Sequence, residues 1–297
     1  MSQPPPSPTR NAGEGLNRLL CFGFGFSARA LSRSLSADEW QIAGTNRTGA
    51  GDTYRFDRDH PLPAEVFAGV THILVSIPPD AGGDSVLDKH ADDIAKLPTL
   101  RWLGYLSTTG VYGNRDGAWV DEGSPLQPSG ERGRRRVAAE ADWLDLFRRR
   151  HVPVHIFRLA AIYGPGRSPF DALRAGTARR IAKPGQVFSR IHVDDIAAVS
   201  AASMASPRPG AIYNVCDDEP APPETVVAHA AALLGVAPPP LIPFETAELS
   251  PMARSFYDDN KRVSNALIKS ELGVTLRYPN YRAGLEAILA GILADGG

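Results

Sequence analysis

The residues with the plainest chemical use are Gly23-Phe24-Gly25-Phe26-Ser27-Ala28, a G-x-G-x-x-A spacing. Gly23 would make a tight turn, Gly25 would let a pyrophosphate approach the backbone, and Ala28 would keep a following helix close to the preceding strand. The helix N-terminus then faces the phosphates. Gly23, Gly25, Phe26, Ser27 and Ala28 are therefore candidate cofactor-binding residues, with a plain turn as the alternative. An NAD site keeps an acid about 20 residues further on, at the tip of the second strand. This chain reads Thr45-Asn46-Arg47-Thr48 there. The forked guanidinium of Arg47 suits the 2′-phosphate of NADP, so NADP(H) is expected over NAD(H). A solvated loop arginine is the competing reading.

The elements that must position this turn follow from periodicity. Apolar runs Leu19–Phe22, 40–44, His72–Ile77, Trp102–Ser107, Val154–Ala160 and 211–215 read as strands. Helices are expected over 28–36, 84–97 and 134–150, the last with Val137, Ala141, Leu144 and Phe147 on one face. Such alternation predicts an α/β fold, a Rossmann-type doubly wound parallel sheet covered on both faces. Beyond 165 the pattern is broken by prolines at 207–209, 220–223 and 238–243, with helices expected at 170–181, 192–204, 223–235 and 281–294. The expected organisation is a disordered tail over 1–15 and a dinucleotide-binding domain over 16–165. A smaller substrate-binding portion over 166–297 completes it, some of its strands and helices returning to the core.

Composition narrows the function classes. The 297 residues are 43% hydrophobic and 22% charged with a formal net charge of −1, which leaves no global field for nucleic acid or anionic membrane. Two cysteines and scattered histidines give no metal-ligand spacing, and no metal is expected. No apolar run reaches the roughly 20 residues that span a bilayer, and no signal-peptide pattern opens the chain, so a cytoplasmic location is expected. Arg134–Arg136 and Arg148–Arg150 lie among Glu131, Glu140, Asp142 and Asp145, which reads as a solvated helix face. The expected partner is a small-molecule substrate, with a homodimer left open.

The glycine turn, Ser107-Thr108-Thr109-Gly110-Val111-Tyr112-Gly113, Tyr163-Gly164-Pro165-Gly166 and Arg190-Ile191-His192-Val193-Asp194-Asp195 together resemble the short-chain dehydrogenase/reductase superfamily, in its extended and atypical branches. More narrowly, the chain resembles bacterial NAD(P)-dependent epimerase/dehydratase-like proteins over about 17–294. The resemblance implies a Ser or Thr after the fifth strand, matched by Thr108, and a Tyr-x-x-x-Lys pair. Anchored on Glu140, that frame places Arg132 at the tyrosine and Arg136 at the lysine. An arginine is no proton donor at working pH, whereas Arg136 retains a fork for ribose or phosphate. Asp84 falls where the family keeps an Asn, and a helix N-cap explains it equally well.

The catalytic candidates are thus Thr108, Tyr112 and Asp84, with Tyr112 expected in the crevice as a substitute acid or else packing its loop. Ser129 and Tyr163 are weaker candidates. The resemblance adds Ser76, Pro78, Ala160 and Ile162 beside the cofactor, and Arg132 and Arg190 toward substrate. His192, Asp194 and Asp195 read as a helix cap. The reading that follows is an NAD(P)-dependent oxidoreductase or epimerase-like enzyme acting on a small carbonyl or sugar-like substrate with a non-standard proton donor. The alternative is a catalytically inactive NADP(H)-binding sensor.

Overall fold

Each short apolar run becomes a strand because turn residues end it before a helix can form, and each intervening amphipathic stretch folds back across the sheet. The computed structural model describes residues 16–295, and the tail expected over 1–15 lies outside them. The chain runs through β1 (Asn17–Phe22), α1 (Phe26–Ser34), β2 (Trp40–Asn46), β3 (Thr53–Arg55), β4 (His72–Val75), α2 (Ser85–Ala95) and β5 (Trp102–Thr108). It continues through β6 (Trp119–Val120), α3 (Glu131–Arg150), β7 (Val154–Leu159), β8 (Ala161–Tyr163), α4 (Pro169–Arg174), β9 (Arg180–Ala182), β10 (Arg190–His192) and α5 (Val193–Ala205). The remainder forms β11 (Ile212–Val215), α6 (Pro223–Leu233), β12 (Leu241–Pro243), α7 (Pro251–Phe256), β13 (Arg262–Val263), α8 (Ala266–Leu272) and α9 (Tyr281–Asp295).

Seven strands make one parallel sheet in the order β11-β7-β5-β4-β1-β2-β3. The doubly wound α/β architecture expected from the alternation is the one observed. Chain order reverses between β1 and β4, which pair directly, Leu19 opposite His72 and Phe22 opposite Val75. That reversal opens a crevice beyond the carboxyl ends of these two strands. On one face α1 and α5 cover a core of Leu31, Leu106, Phe157, Ile196 and Tyr213. On the other, α2 and α3 close over Phe22, Ile73, Tyr105, Ile156 and Trp143. The C-terminal part builds a separate cluster from Tyr163, Phe170, Val226, Tyr281 and Leu285, while β11 returns to the sheet edge beside β7.

Element boundaries moved for local reasons. α1 begins at Phe26, not 28, because the extended backbone of Gly25 (φ −94°, ψ −156°) caps it directly. α3 starts at Glu131, three residues ahead of the expected 134, which puts Arg132 in its first turn. The helix expected over 170–181 stops at Arg174, since Gly176 turns with φ +67° and Arg180–Ala182 pairs with Leu241–Pro243 as an added two-stranded ribbon.

A buried polar chain crosses the middle of the sheet. Arg158 on β7 makes a two-pronged ion pair with Glu140 on α3, 2.8 Å at its shortest, both side chains 3% exposed. Ser107 on β5 donates to the same carboxylate, and Arg158 also donates to the Tyr112 hydroxyl at 2.9 Å. Glu140 is therefore not part of the solvated helix face expected for it. Removing one partner of such a pair strands a buried charge at a cost of about 3–5 kcal/mol, whereas replacing both with apolar groups restores much of the loss. Arg158→Met should accordingly lower the unfolding free energy from urea titration by that amount. The double change Glu140→Met with Arg158→Met should recover at least half of it, and a double variant no better than the single would refute the assignment.

Candidate active site

The crevice is built from four strand ends, those of β1, β2, β4 and β5. At β1 the turn residue Gly23 has φ +86°, and a Cβ there would lie 2.7 Å from Ser76 Oγ, so only glycine fits. Ser76, just past β4, donates its hydroxyl to the Gly23 carbonyl at 2.6 Å. Thr45 at the end of β2 accepts from the Gly23 N–H at 2.9 Å. The turn is thereby pinned from both neighbouring strands. Gly25 is different: it is exposed, and a Cβ added to it would meet nothing within 4 Å. No side chain caps the helix that starts there, so the first-turn N–H groups of α1 are available to an anion. Ser27 and Ala28 are buried in that first turn, and Ala28 lets α1 approach the sheet.

The remaining cofactor candidates take separate places. Arg47 is exposed one residue beyond β2, while Asn46 is consumed by its own loop, accepting from the N–H of Thr48 and of Gly49 and donating to the Ala50 carbonyl. Pro78 is exposed on the loop after β4. Ala160 is buried in the core with its N–H on the Val215 carbonyl at 3.0 Å. Ile162 lines a cavity of about 410 Å³ with Ala161, Tyr163, Arg167, Ser168 and Arg190 among its walls. This cavity adjoins the glycine turn: the Arg167 guanidinium lies 5.8 Å from the Phe26 ring, which also packs against Gly164.

Thr108 ends β5 at the crevice, half-buried, its hydroxyl accepting from the Gly110 N–H at 3.1 Å. Arg136 reaches under it to the Leu106 carbonyl, with its guanidinium 5.7 Å from the Tyr105 ring. Arg132 is exposed at the start of α3, 6.0 Å from the Phe256 ring.

Two catalytic expectations are corrected. Tyr112 is fully buried, its hydroxyl donating to Asn214 Oδ1 at 2.7 Å while accepting from Arg158, and burial raises its pKa. It packs its loop and cannot meet a substrate. Asp84 caps α2, accepting from the N–H groups of Val86 and Leu87 and from Trp143 Nε1 at 3.1 Å, so its carboxylate is wholly engaged in structure. His192 caps α5 as expected, and Asp195 holds the N–H groups of Arg277 and Tyr278 at 2.7 and 3.0 Å.

Lys261 and Asp259 had no local signal in the sequence, and they meet the candidate Ser129. Lys261 is buried and donates to the Gly113 carbonyl at 3.0 Å and to Asp259 at 3.1 Å, while Ser129 donates to the other oxygen of Asp259 at 2.5 Å. The Lys261–Gly113 and Ser129–Asp259 contacts join positions 148 and 130 residues apart, so no spacing rule anticipates them. Arg190 donates to the Phe188 and Ala221 carbonyls at 2.8 and 3.0 Å at the cavity wall. Beside it, burial pushes the Asp217 carboxyl up to about 8, against the attraction of Arg190. Among the described residues no group of three or more His, Cys, Asp or Glu is placed to hold a metal ion, and no helix is long and apolar enough to cross a membrane.

No family model matches the chain. It is 54% identical to a conserved protein of unknown function from Silicibacter pomeroyi DSS, whose structure superposes with a TM-score of 0.86 over 93% of this chain and 99% of that one. A putative NAD-dependent epimerase/dehydratase from Methylobacillus flagellatus is 25% identical with a TM-score of 0.70, covering 94% of this chain and 100% of that one. Over 291 residues the chain is 26% identical to Protein YeeZ of Escherichia coli (strain K12), spanning 89% of this chain and 97% of the relative.

The raised Asp217 pKa carries a stability consequence. A carboxyl that holds its proton to about pH 8 when folded, but only to about 3.9 when unfolded, stabilises the fold fully below the lower value. That contribution is lost as pH rises toward the upper one. Urea midpoints of the wild type should therefore fall between about pH 4 and about pH 8, and Asp217→Asn should flatten that slope. An unchanged slope in the variant would place the titration elsewhere.

Proposed function

The chain belongs to one family with the Silicibacter pomeroyi protein and has the fold of the extended short-chain dehydrogenase/reductases, and on that premise we propose that it is a nicotinamide-dinucleotide-dependent oxidoreductase or epimerase-like enzyme acting on a small carbonyl or sugar-like substrate. The observation that carries the proposal is the pinned Gly23 turn beside the open backbone at Gly25, with the uncapped N-terminus of α1 facing the same crevice as Thr108. These residues fit a dinucleotide: a fixed turn, a gap where a side chain would obstruct phosphate, and unspent N–H donors.

A bound reduced nicotinamide supplies hydride. Gly25, Phe26 and Ser27 would hold the pyrophosphate, with Ser76 keeping the turn closed and Pro78 and Ile162 bordering the site. Arg47 supports NADP(H) as the preferred form, because its guanidinium is exposed at the strand tip and the adjacent Asn46 is already satisfied within the loop. Thr108 presents its hydroxyl to the reacting oxygen of the substrate. Arg132 and Arg136 stand at the frame positions of the family's proton donor and its lysine. Arg132 offers a fixed positive charge to an oxyanion in place of a transferable proton, an electrostatic role that needs no change of protonation. Arg136 keeps N–H donors beyond the one spent on Leu106 and serves the ribose side. Arg190 and Arg167, at the adjoining cavity, contact the far part of the substrate.

Fluorescence titration with NADPH and then NADH tests this directly. Wild type should bind NADPH at least about tenfold more tightly, and Arg47→Ala should remove that difference. Failure to bind either dinucleotide overturns the proposal. Binding of both without turnover across a carbonyl panel would instead favour the sensor alternative.

A further inference from the structure

The segment just before β13 carries an apolar feature that the fold does not use. α7 is six residues long, yet it presents two large exposed hydrophobic side chains one turn apart, Met252 (61% exposed) and Phe256 (55% exposed). The helix is not loosely attached. Tyr257 immediately behind it is packed between the Phe188 and Phe244 rings at 5.4 and 5.1 Å, and Arg254 donates to the Ala247 carbonyl at 2.9 Å. The Ser129–Asp259–Lys261 chain then ties the next residues to the loop that leads into α3. Anchored in this way, α7 turns Phe256 toward Arg132, whose guanidinium carbon is 6.0 Å from the ring centroid. The nearest acid in sequence, Glu131, is occupied by Arg134 and Arg135.

We propose that Arg132, Phe256 and Met252 form a clamp that selects a planar aromatic substrate carrying a negative charge. The inference rests on the crevice being the substrate site of the function proposed above. A guanidinium facing an exposed ring at the mouth of a crevice binds such a group on both faces, by stacking on Phe256 and by cation–π and charge attraction from Arg132. The fit is also metric. A flat ring between them needs about 3.5–4 Å on each side, so the pair must open from 6.0 Å to about 7–8 Å. A one- to two-ångström swing of an exposed arginine side chain supplies that gap without moving α7. Met252 extends the apolar floor by one turn, and its flexible thioether adapts to ring substituents. A saturated acid of similar size would keep the charge contact and lose the stacking.

The test is equilibrium binding of coumarin-3-carboxylate, followed by its own fluorescence, against cyclohexanecarboxylate as competitor, with and without NADPH. Wild type should prefer the aromatic acid by about tenfold, and Phe256→Ala or Phe256→Leu should abolish the preference while NADPH binding is unchanged. Phe256→Tyr should restore it, and Arg132→Met should weaken the aromatic acid by a further about tenfold. Equal affinity for the two acids in wild type, or full preference in Phe256→Ala, overturns the clamp. A wild-type dimer in sedimentation velocity that Phe256→Ala dissociates overturns it as well, assigning the face to a second copy of the chain. If wild type binds neither dinucleotide, the nicotinamide reading fails by itself, and the coumarin-3-carboxylate affinities still decide the clamp.

Discussion

One buried ion pair sets the terms for the middle of the sheet. Glu140 and Arg158 are almost wholly removed from water, and neither would be tolerated there without the other. Their geometry joins three elements at once: α3 through Glu140, β7 through Arg158, and β5 through the Ser107 hydroxyl. The remaining donors of Arg158 reach Tyr112 and the Glu122 carbonyl, and Tyr112 continues the chain to Asn214 on β11. The segment between β5 and α3 is therefore locked from below. Thr108 sits one residue past Ser107, and Arg136 and Arg132 lie four and eight residues before Glu140 on the same helix. The crevice residues inherit their positions from this network without belonging to it.

The second constraint is the topological reversal between β1 and β4. Parallel strands with helices on opposite faces must leave a gap where the direction of winding reverses, and the chain fills it with a glycine turn in place of side chains. Ser76 and Thr45 reach the Gly23 peptide group from the two flanking strands, so the turn is held while Gly25 stays open. Across the gap, the C-terminal part contributes residues that no local pattern assigns to it. Lys261 and Asp259 are drawn under the loop after β5 because a buried ammonium needs both a carbonyl and a carboxylate, and Gly113 and Asp259 provide them.

Much of this was legible in the residues. Six of the seven strands of the main sheet, its doubly wound form and the glycine turn follow from period and composition, because strands buried on both faces read as continuous apolar runs, whereas the three-residue edge strand β3 was not anticipated. The ends of elements were less so, since capping is decided by backbone geometry, as with Gly25 at α1. The short ribbons β9–β12 and β6–β13 were invisible, two- and three-residue strands having no period to detect. Tyr112 illustrates a different limit. Its spacing from Thr108 suggested a shared crevice, but a single 3-10 turn between Thr109 and Tyr112 rotates the ring inward to Arg158. Ordinary sequence reasoning assigns a polar tip to water unless a buried partner is known, and the partner here lies 46 positions away.

What the two arginines at the tyrosine and lysine positions imply is then a question of charge. A tyrosine–lysine pair works by changing protonation, which requires a group whose pKa can be brought near that of the medium. Arg132 and Arg136 cannot do this, and Tyr112, the nearest phenol in sequence, is buried with its acidity lowered. The protein has in exchange two permanent cations on the first turns of α3, one exposed beside an aromatic ring and one anchored to the end of β5. Permanent cations favour a substrate or transition state that is already negative, and they do so across the whole working pH range. On the function proposed above, such a crevice would bind anionic, ring-bearing molecules, with protons drawn from solvent after charge has been stabilised.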